Sequence, residues 1–204
     1  MTKTFNGIDL SRHNIVTNWD KVQTDFIILR AGGNYGGYYK DSKFEMYYAA
    51  CKKKGIPVGA YYDAGKDLWC ADGRSYAHHF LKLISGKVFE MPVYIDIEVV
   101  PKRYKKMTTG AAIEFCREME KNRYFVGIYG SDINTFKEQL SLGMVTDFSL
   151  WVARYGKRPE YVKDYDMWQY SSKGSIEGIK GPIDLDMTSV DFPSLLKGVH
   201  LNGN

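Results

Sequence analysis

The chain has 204 residues, of which 44% are hydrophobic and 25% charged, as is typical of one globular domain with a sizeable core. Its net charge of +4, from 28 basic and 24 acidic residues, is too mild for a dedicated nucleic-acid-binding protein, and no apolar run is long enough to cross a membrane. Aromatic residues reach 15%, including 16 tyrosines, which suit either a core or stacking on sugar rings.

The first predicted elements are two strands, a loop and a helix. Residues 7–11 form one strand candidate, and the continuous apolar run at 26–31 is typical of a strand buried on both faces. The glycine-rich residues 32–37 predict a loop. Ser42 and Glu45 then have the spacing of a capping box, which predicts a helix that ends at Gly55.

Strand and helix patterns continue to alternate along the rest of the chain. Further strands are predicted at 58–62, 93–99, 125–129, 150–153, 167–170 and 183–187, with helices near 74–84, 109–122 and 131–140. The total is eight strands with about five helices, and the connections between the last strands are short. Repeated strand–helix units predict an α/β fold with a largely parallel sheet, and eight strands suffice to close a barrel. We expect one domain at 1–197, followed by a loose tail or linker stub at 198–204.

Carboxylates occupy one face of the strand predicted at 93–99. Because strand side chains alternate between faces, Tyr94, Asp96 and Glu98 share a face that would point into the barrel. By the same alternation, Asp9 faces inward from the first strand, and Asp184 shares a face with Asp186 on the last. Two carboxylates inside a barrel are costly unless they are paired, hydrogen-bonded or open to solvent.

If these faces converge, crowding should separate the pKa values and leave one protonated acid beside an ionised carboxylate. That arrangement is typical of general acid–base chemistry. The alternative for any single aspartate is a structural role, either capping a loop or pairing with Arg30.

Several short motifs run through the chain in the order found in one enzyme family. They are Gly7-Ile8-Asp9-Leu10-Ser11, Gly59-Ala60-Tyr61, Tyr94-Ile95-Asp96-Ile97-Glu98, Trp151-Val152-Ala153-Arg154-Tyr155, Trp168-Gln169-Tyr170 and Ile183-Asp184-Leu185-Asp186. With these motifs the sequence resembles glycoside hydrolase family 25, the Chalaropsis-type lysozymes, and especially the catalytic domains of phage endolysins.

The resemblance implies a catalytic set. Glu98 matches the family's general acid, Asp96 its partner carboxylate, and Asp9 and Asp184 the acidic residues of the first and last strands. It also implies N-acetylmuramidase activity on bacterial peptidoglycan, no cofactor or metal, and a flattened TIM-like barrel whose last strands lack full helices. One departure is Tyr62-Asp63, where many relatives carry His-Phe.

Further side chains are candidates for holding the glycan. We expect an aromatic contact from Tyr61 and a polar contact from Arg30. Four further aromatic residues are candidates for a sugar-binding platform, although one or two of them belong to the core instead. The platform candidates are Tyr129, Trp151, Tyr155 and Trp168. The basic segment 102–106 follows the Glu98 strand and either binds anionic wall polymer or is a solvated loop. The oligomeric state is open, with a monomer as the default.

Other site types lack a sequence signal. Residues 32–37 match no phosphate-binding motif, and Ser11 and His13 lack the Gly-x-Ser-x-Gly elbow of a serine hydrolase. No CxxC or HxxxH spacing is present, and the adjacent His78 and His79 would point about 100° apart on a helix. These patterns exclude a recognisable metal site.

Cysteine usage and the first residues indicate where the protein is made. Cys51, Cys70 and Cys116 are odd in number and widely spaced, which argues against a disulfide framework and for a reducing cytosol. The start also lacks the apolar stretch of a secretory signal. We therefore expect a phage lysin that accumulates in the host cytoplasm and reaches the wall through a membrane lesion.

Two rival functions remain open at this point. A chitinase-like barrel would carry a DxxDxDxE strand, and Tyr94 stands where that motif has an aspartate two residues before Asp96. A non-catalytic wall-binding or inhibitor module on the same barrel would typically lose the acid, whereas this chain keeps Glu98.

Overall fold

The computed structural model describes residues 3–203; Met1, Thr2 and Asn204 lie outside the described part. Eleven strands are present there: β1 Phe5–Leu10, β2 Ile15–Val16, β3 Phe26–Asn34, β4 Tyr38–Lys40, β5 Val58–Asp63, β6 Val93–Asp96, β7 Val126–Ser131, β8 Ser149–Ala153, β9 Met167–Gly174, β10 Ile179–Lys180 and β11 Ile183–Thr188. The helices are α1 Phe44–Lys54, α2 Gly73–Ile84, α3 Lys105–Lys121, a π-helical turn Asn134–Gln139, and α4 Phe192–Gly198, with short 3-10 turns at Trp19–Lys21, Leu68–Cys70, Lys102–Tyr104 and Leu142–Met144. None of the helices within residues 3–203 is long and apolar enough to span a bilayer.

Eight of these strands close the predicted barrel. Their order is β1, β11, β9, β8, β7, β6, β5 and β3, and β3 pairs with β1 to complete the circle. The pairs from β1–β3 round to β8–β9 are parallel, whereas β11 runs antiparallel to both β9 and β1. The prediction of an eight-stranded, flattened TIM-like barrel is confirmed. The last strands follow one another without intervening α-helices, as expected.

The two faces of the strands pack against different layers. Outward apolar residues of the strands contact α1, α2 and α3, whereas a second cluster fills the barrel itself. Within that inner cluster Phe26, Tyr94 and Met167 are at most 1% exposed, and α4 contributes Phe192 and Leu196. The interior is thus packed, and the polar side chains gather near the carboxyl ends of the parallel strands.

The loop predicted at 32–37 is shorter than expected. β3 continues to Asn34 and turns through Gly36 and Gly37, both at positive φ, into β4. A Cβ atom on Gly32 would lie 2.2 Å from the carbonyl oxygen of Tyr39, and one on Gly33 would lie 2.3 Å from that of Asp63. The first two glycines therefore permit close strand packing and do not form a loop.

The capping box predicted at Ser42 and Glu45 is wrong. Helix α1 begins at Phe44, and no side chain caps its first turn. The buried Asp41 instead accepts the backbone N–H of Lys43 at 2.9 Å, just before the helix. The predicted end at Gly55 is confirmed: this residue has φ 67°, and its N–H bonds the carbonyls of Cys51 and Lys52.

The segment after residue 197 is packed against the barrel, which corrects the expectation of a loose tail from 198 to 203. Helix α4 runs through Gly198, and Asn202 is fully buried. The Asn202 side chain accepts the N–H of Phe125 at 2.7 Å and donates to the carbonyl of Met91 at 2.9 Å. These bonds satisfy backbone groups at the bottom of the barrel, so this segment belongs to the domain.

Candidate active site

A cavity of about 230 Å³ opens where the parallel strands end. Four carboxylates, four aromatic side chains and one amide line it: Asp9, Asp96, Glu98, Asp184, Tyr61, Tyr129, Trp151, Tyr155 and Gln169. The structure thus brings together all four carboxylates that the sequence predicted as catalytic, from strands far apart in the chain.

Strand register explains how three of the carboxylates meet. Asp9 and Asp184 are directly paired across the antiparallel strands β1 and β11. Asp96 ends β6, where it lies between Asp63 on β5 and Tyr129 on β7. Because side chains alternate along each strand, Asp9, Asp96 and Asp184 all project into the barrel, where they line the same cavity.

Glu98 lies beyond the strand on which it was predicted. β6 ends at Asp96, and Val99, expected on an apolar face, is 55% exposed; the strand predicted to residue 99 is therefore too long. The π-helical turn holds the extension instead. Thr135 donates to the carbonyl of Ile97 at 2.7 Å, and Gln139 donates to the carbonyl of Glu98 at 2.9 Å.

The amide of Gln169 connects two sides of the cavity. Its Nε2 donates to Oδ2 of Asp9 at 2.8 Å. Its Oε1 accepts the hydroxyl of Tyr129 at 2.8 Å and that of Tyr155 at 3.1 Å. Because an ionised carboxylate can only accept, the amide nitrogen faces Asp9 and the amide oxygen faces the two hydroxyls, so the carboxylate is held in one orientation.

The surroundings of Glu98 favour its protonated form. Desolvation by the surrounding protein atoms raises the pKa of Glu98, and the nearby charges of Asp63 and Asp184 raise it further. A hydroxyl contact from Tyr129 opposes the shift. Glu98 lies exposed at the mouth of the cavity, and the raised pKa favours its role as a proton donor.

The other three carboxyls of the cavity also bind protons more tightly than usual. Burial raises the pKa of Asp9, Asp96 and Asp184; the charge of Glu98 raises that of Asp96, and the charge of Asp184 raises that of Asp9. Within residues 3–203 no lysine or arginine forms an ion pair with these three or with Glu98. Such a set can hold both a proton donor and an anion within one small volume.

The aromatic residues divide between wall and rim. Trp151 is 1% exposed and packs against Tyr129 at a ring distance of 4.3 Å, so it forms the wall of the cavity and offers no open stacking face. Tyr61 and Tyr129 are also largely buried, whereas Tyr155 is 53% exposed at the mouth. Of the predicted platform, only Tyr155 presents a broad accessible ring.

Two predicted substrate contacts do not line this cavity. Trp168 lies on the opposite face of β9 from Gln169, and its Nε1 donates to the carbonyl of Arg154 at 2.7 Å. Arg30 is held by an ion pair with Asp41 at 2.9 Å, and one of its nitrogens lies 4.0 Å from Asp63. Alternation turns the indole away from the cavity, and Asp41 engages one side of the guanidinium. The roles of Trp168 and Arg30 as substrate contacts stay predictions.

The basic segment 102–106 lies at the same end of the barrel, before and within the start of α3. Tyr104 stacks on Trp69 with 3.7 Å between ring centroids, and the Arg103 guanidinium lies over the Tyr104 ring. Lys102 pairs with Glu138 at 3.3 Å, and Lys105 donates to the carbonyl of Lys137. Two of the lysines of this segment, Lys102 and Lys105, thus bind groups of the protein itself.

Sequence reasoning missed three residues that shape the site: Asp63, Gln139 and Gln169. Gln169 belongs to the Trp168-Gln169-Tyr170 motif. The alternation along β9 could have identified it as inward-facing, because it shares the buried face of Met167. Asp63 stands out in sequence only as a departure from the family pattern. Gln139 has no local signal, because its role depends on contact with residue 98.

The sequence model of glycosyl hydrolases family 25 matches residues 8–179. The autolytic lysozyme of Clostridium acetobutylicum is 32% identical over 149 residues, which cover 72% of this chain but only 44% of that protein. The chain therefore spans less than half the length of this relative.

Solved structures share the barrel. The spore cortex lytic enzyme SleM of Clostridium perfringens aligns with a TM-score of 0.77 at 24% identity, over 91% of this chain and 67% of that one. The bacterial lysozyme of Streptomyces coelicolor aligns with a TM-score of 0.74 at 25% identity, over 91% and 92% of the two chains.

Proposed function

Since the chain belongs to glycosyl hydrolases family 25, we propose that it hydrolyses the β-1,4 bond between N-acetylmuramic acid and N-acetylglucosamine in bacterial peptidoglycan. The observation that carries the proposal is the cavity in which Asp9, Asp96 and Asp184 crowd Glu98, with no ion pair from a lysine or arginine of residues 3–203 to any of the four. The lysozyme relatives support the choice of peptidoglycan among possible glycans.

Glu98 supplies the proton in this reaction. Its raised pKa favours the protonated carboxyl, which donates its proton to the glycosidic oxygen as the sugar departs. The resulting carboxylate then removes a proton from the attacking water. The bonds from Thr135 and Gln139 to the backbone hold the segment through both steps.

Asp96 stabilises the positive charge that develops at the anomeric carbon, in one of two ways. It either orients the substrate's own acetamido group as an internal nucleophile or faces the charged sugar directly. Its Oδ1 is buried and lacks a hydrogen-bond donor among residues 3–203, which leaves it available to the substrate. Proton NMR of freshly released sugar separates the routes: the β-anomer first supports assistance, and the α-anomer first supports inversion.

Replacing the acid tests the proposal. Glu98→Gln should lower the release of reducing ends from purified peptidoglycan by about 10²-fold or more, because the amide cannot donate a proton to the leaving group. Glu177→Gln is a matched control, since Glu177 is exposed and pairs only with Lys21 at 2.6 Å. A folded Glu98→Gln variant with near-wild-type turnover would reject the assignment, and a wild-type protein that binds the wall without releasing sugar would favour a binding module.

We also propose that the enzyme is a phage lysin that accumulates in the bacterial cytosol before it reaches the wall. Support comes from three unpaired cysteines, of which Cys51 and Cys116 are buried and Cys70 is exposed. Bacteria producing the full chain inside the cell should grow normally until their membrane is permeabilised, and then lyse. Lysis without permeabilisation, or recovery of the chain from the medium of intact cells, would contradict this route.

A further inference from the structure

A fifth carboxyl lies beneath the cavity. Asp186 is fully buried on β11, opposite Gly7 of β1. Gly7 has no side chain, and the Phe26 ring fills the space that one would need. It lies one step deeper along β11 than Asp184 and does not line the cavity.

The partners of Asp186 are few. Nε1 of Trp151 donates to its Oδ1 at 2.9 Å. Within the described part of the chain, Oδ2 has no hydrogen-bond partner. Asp9 is the diagonal neighbour of Asp186 across the β1–β11 pair, and the contact between the two carboxyls raises the pKa of Asp186. Two carboxyl groups can share a hydrogen bond only if one of them carries the proton.

The environment decides that at least one of the pair is neutral. Two anions in contact inside a barrel would repel each other strongly and would both lack water. The titratable groups whose charges act on the pair are acids or phenols: Asp96, Glu98, Asp184, Tyr61, Tyr94, Tyr129, Tyr155 and Tyr170. None of them supplies a positive charge. The nearest cation of the site, Arg30, is paired with Asp41 and acts on Tyr61 and Asp96 instead.

Hydrogen bonding decides which member keeps the proton. As an anion, Asp9 accepts two bonds, one from Gln169 at 2.8 Å and one from Asp186, and it borders the open cavity. As an anion, Asp186 would have the indole N–H as its one donor among residues 3–203, and it is fully buried. Burial raises the pKa of Asp186, the charge of Asp9 raises it further, and the bond between the two favours a charged Asp9.

We propose that Asp186 is a neutral carboxylic acid in the working enzyme and that it donates its proton in a hydrogen bond to Asp9. Asp186 is thus a positioning residue: together with Gln169 it fixes the orientation of the Asp9 carboxylate and favours its ionised form. The inference rests on the proposed function only for the catalytic importance of Asp9, and not for the protonation state itself.

Infrared spectroscopy measures that protonation state without any substrate. With carboxyl-labelled aspartate, the difference spectrum between the wild type and Asp186→Asn at neutral pH should contain the C=O band of a protonated acid, shifted by the isotope. Asp164→Asn, at an exposed loop position, should give only a carboxylate difference. If the Asp186 difference also shows carboxylate bands alone, Asp186 is charged and the inference is wrong.

Kinetics tests the positioning role with two variants. Asp186→Asn keeps a donor toward Asp9 and an acceptor for Trp151, so its kcat should stay within about threefold of the wild type. Asp186→Leu removes both bonds, and we expect kcat to fall by about tenfold or more with KM little changed, because Asp9 loses one of two donors. Equal losses in both variants would overturn the positioning role.

Failure of this inference is distinguishable from failure of the proposed function. If the chain cleaves no peptidoglycan, the infrared result still decides the protonation of Asp186. If the chain cleaves peptidoglycan and the acid band is missing, the proposed function stands and the inference falls. If Asp186→Leu does not fold, Asp186→Asn and the spectrum still provide the test.

Discussion

Gln139 offers a test of how the acid is positioned, because it holds the backbone of Glu98 without touching the cavity. Its Nε2 donates to the Glu98 carbonyl at 2.9 Å, and the residue is 5% exposed. Gln139→Leu keeps the approximate volume and removes the donor. The buried carbonyl then loses its partner, at a cost of about 1–3 kcal/mol.

Part of that cost is offset. The Oε1 atom of Gln139 is itself buried without a donor among residues 3–203, so the leucine also removes one unsatisfied acceptor. We therefore expect a net loss of about 1 kcal/mol, which for a domain of this size corresponds to a Tm lower by about 2–4 °C. Activity should fall much more, since a displacement of about 1 Å at a catalytic group can cost about 10²-fold.

The assay combines the rate of reducing-end release from purified peptidoglycan with a thermal melt. Gln139→Leu should lower kcat by about tenfold or more. Gln23→Ala, at an exposed position, is the control and should change neither quantity. Near-wild-type kcat in a stable variant would refute the positioning argument, and a much larger drop in Tm would show that the residue supports the fold as a whole.

Three further predictions follow from the electrostatics and the packing. Burial and then the charge of Asp63 raise the pKa of Glu98, and activity requires the protonated acid. Asp63→Asn should therefore move the basic limb of the pH–rate profile to lower pH. A limb that does not move would contradict the electrostatic coupling between Asp63 and Glu98. Burial and then the charge of Glu98 raise the pKa of Asp96, so the folded state binds this proton more tightly than the unfolded state, and stability is lost as pH rises through the folded pKa. Asp96→Asn should therefore raise Tm at neutral pH while it lowers activity. An unchanged or lower Tm would argue against this loss of stability. Phe192→Ala should lower the free energy of unfolding by about 3–5 kcal/mol in denaturant titrations, because Phe192 fills the bottom of the barrel. The pH profile of the folded enzyme should stay unchanged. A loss below about 1 kcal/mol would contradict that packing.

The inward-facing carboxylates could be predicted because strand alternation is rigid. Asp9, Asp96 and Asp184 each lie on a strand with apolar residues on both sides, and a period of two leaves only one face for the carboxylate. Glu98 was placed by the same rule. The strand ends before it, but the chain continues in nearly the same direction, so the side chain still reaches the cavity.

The parts that could not be predicted depend on contacts between distant segments. Gln139 bonds the carbonyl of residue 98 from a π-helical turn, and nothing in its neighbours along the chain marks that bond. The Asp186–Asp9 contact runs diagonally across the β1–β11 pair, in which Gly7 faces Asp186 and Asp9 faces Asp184. That register is set across the sheet and not by neighbours along the chain. The helix start near Asp41 was missed for a related reason, since this aspartate is shared between the helix and Arg30.

We propose that the enzyme cleaves the bond on the reducing side of N-acetylmuramic acid, with Glu98 as the acid. Mass spectrometry of purified peptidoglycan, digested by the chain and then reduced with borohydride, tests it most directly. The account predicts new ends that carry reduced N-acetylmuramic acid with the wild type and with Glu177→Gln, and almost none with Glu98→Gln. New ends that carry reduced N-acetylglucosamine, or equal release by wild type and Glu98→Gln, would contradict it.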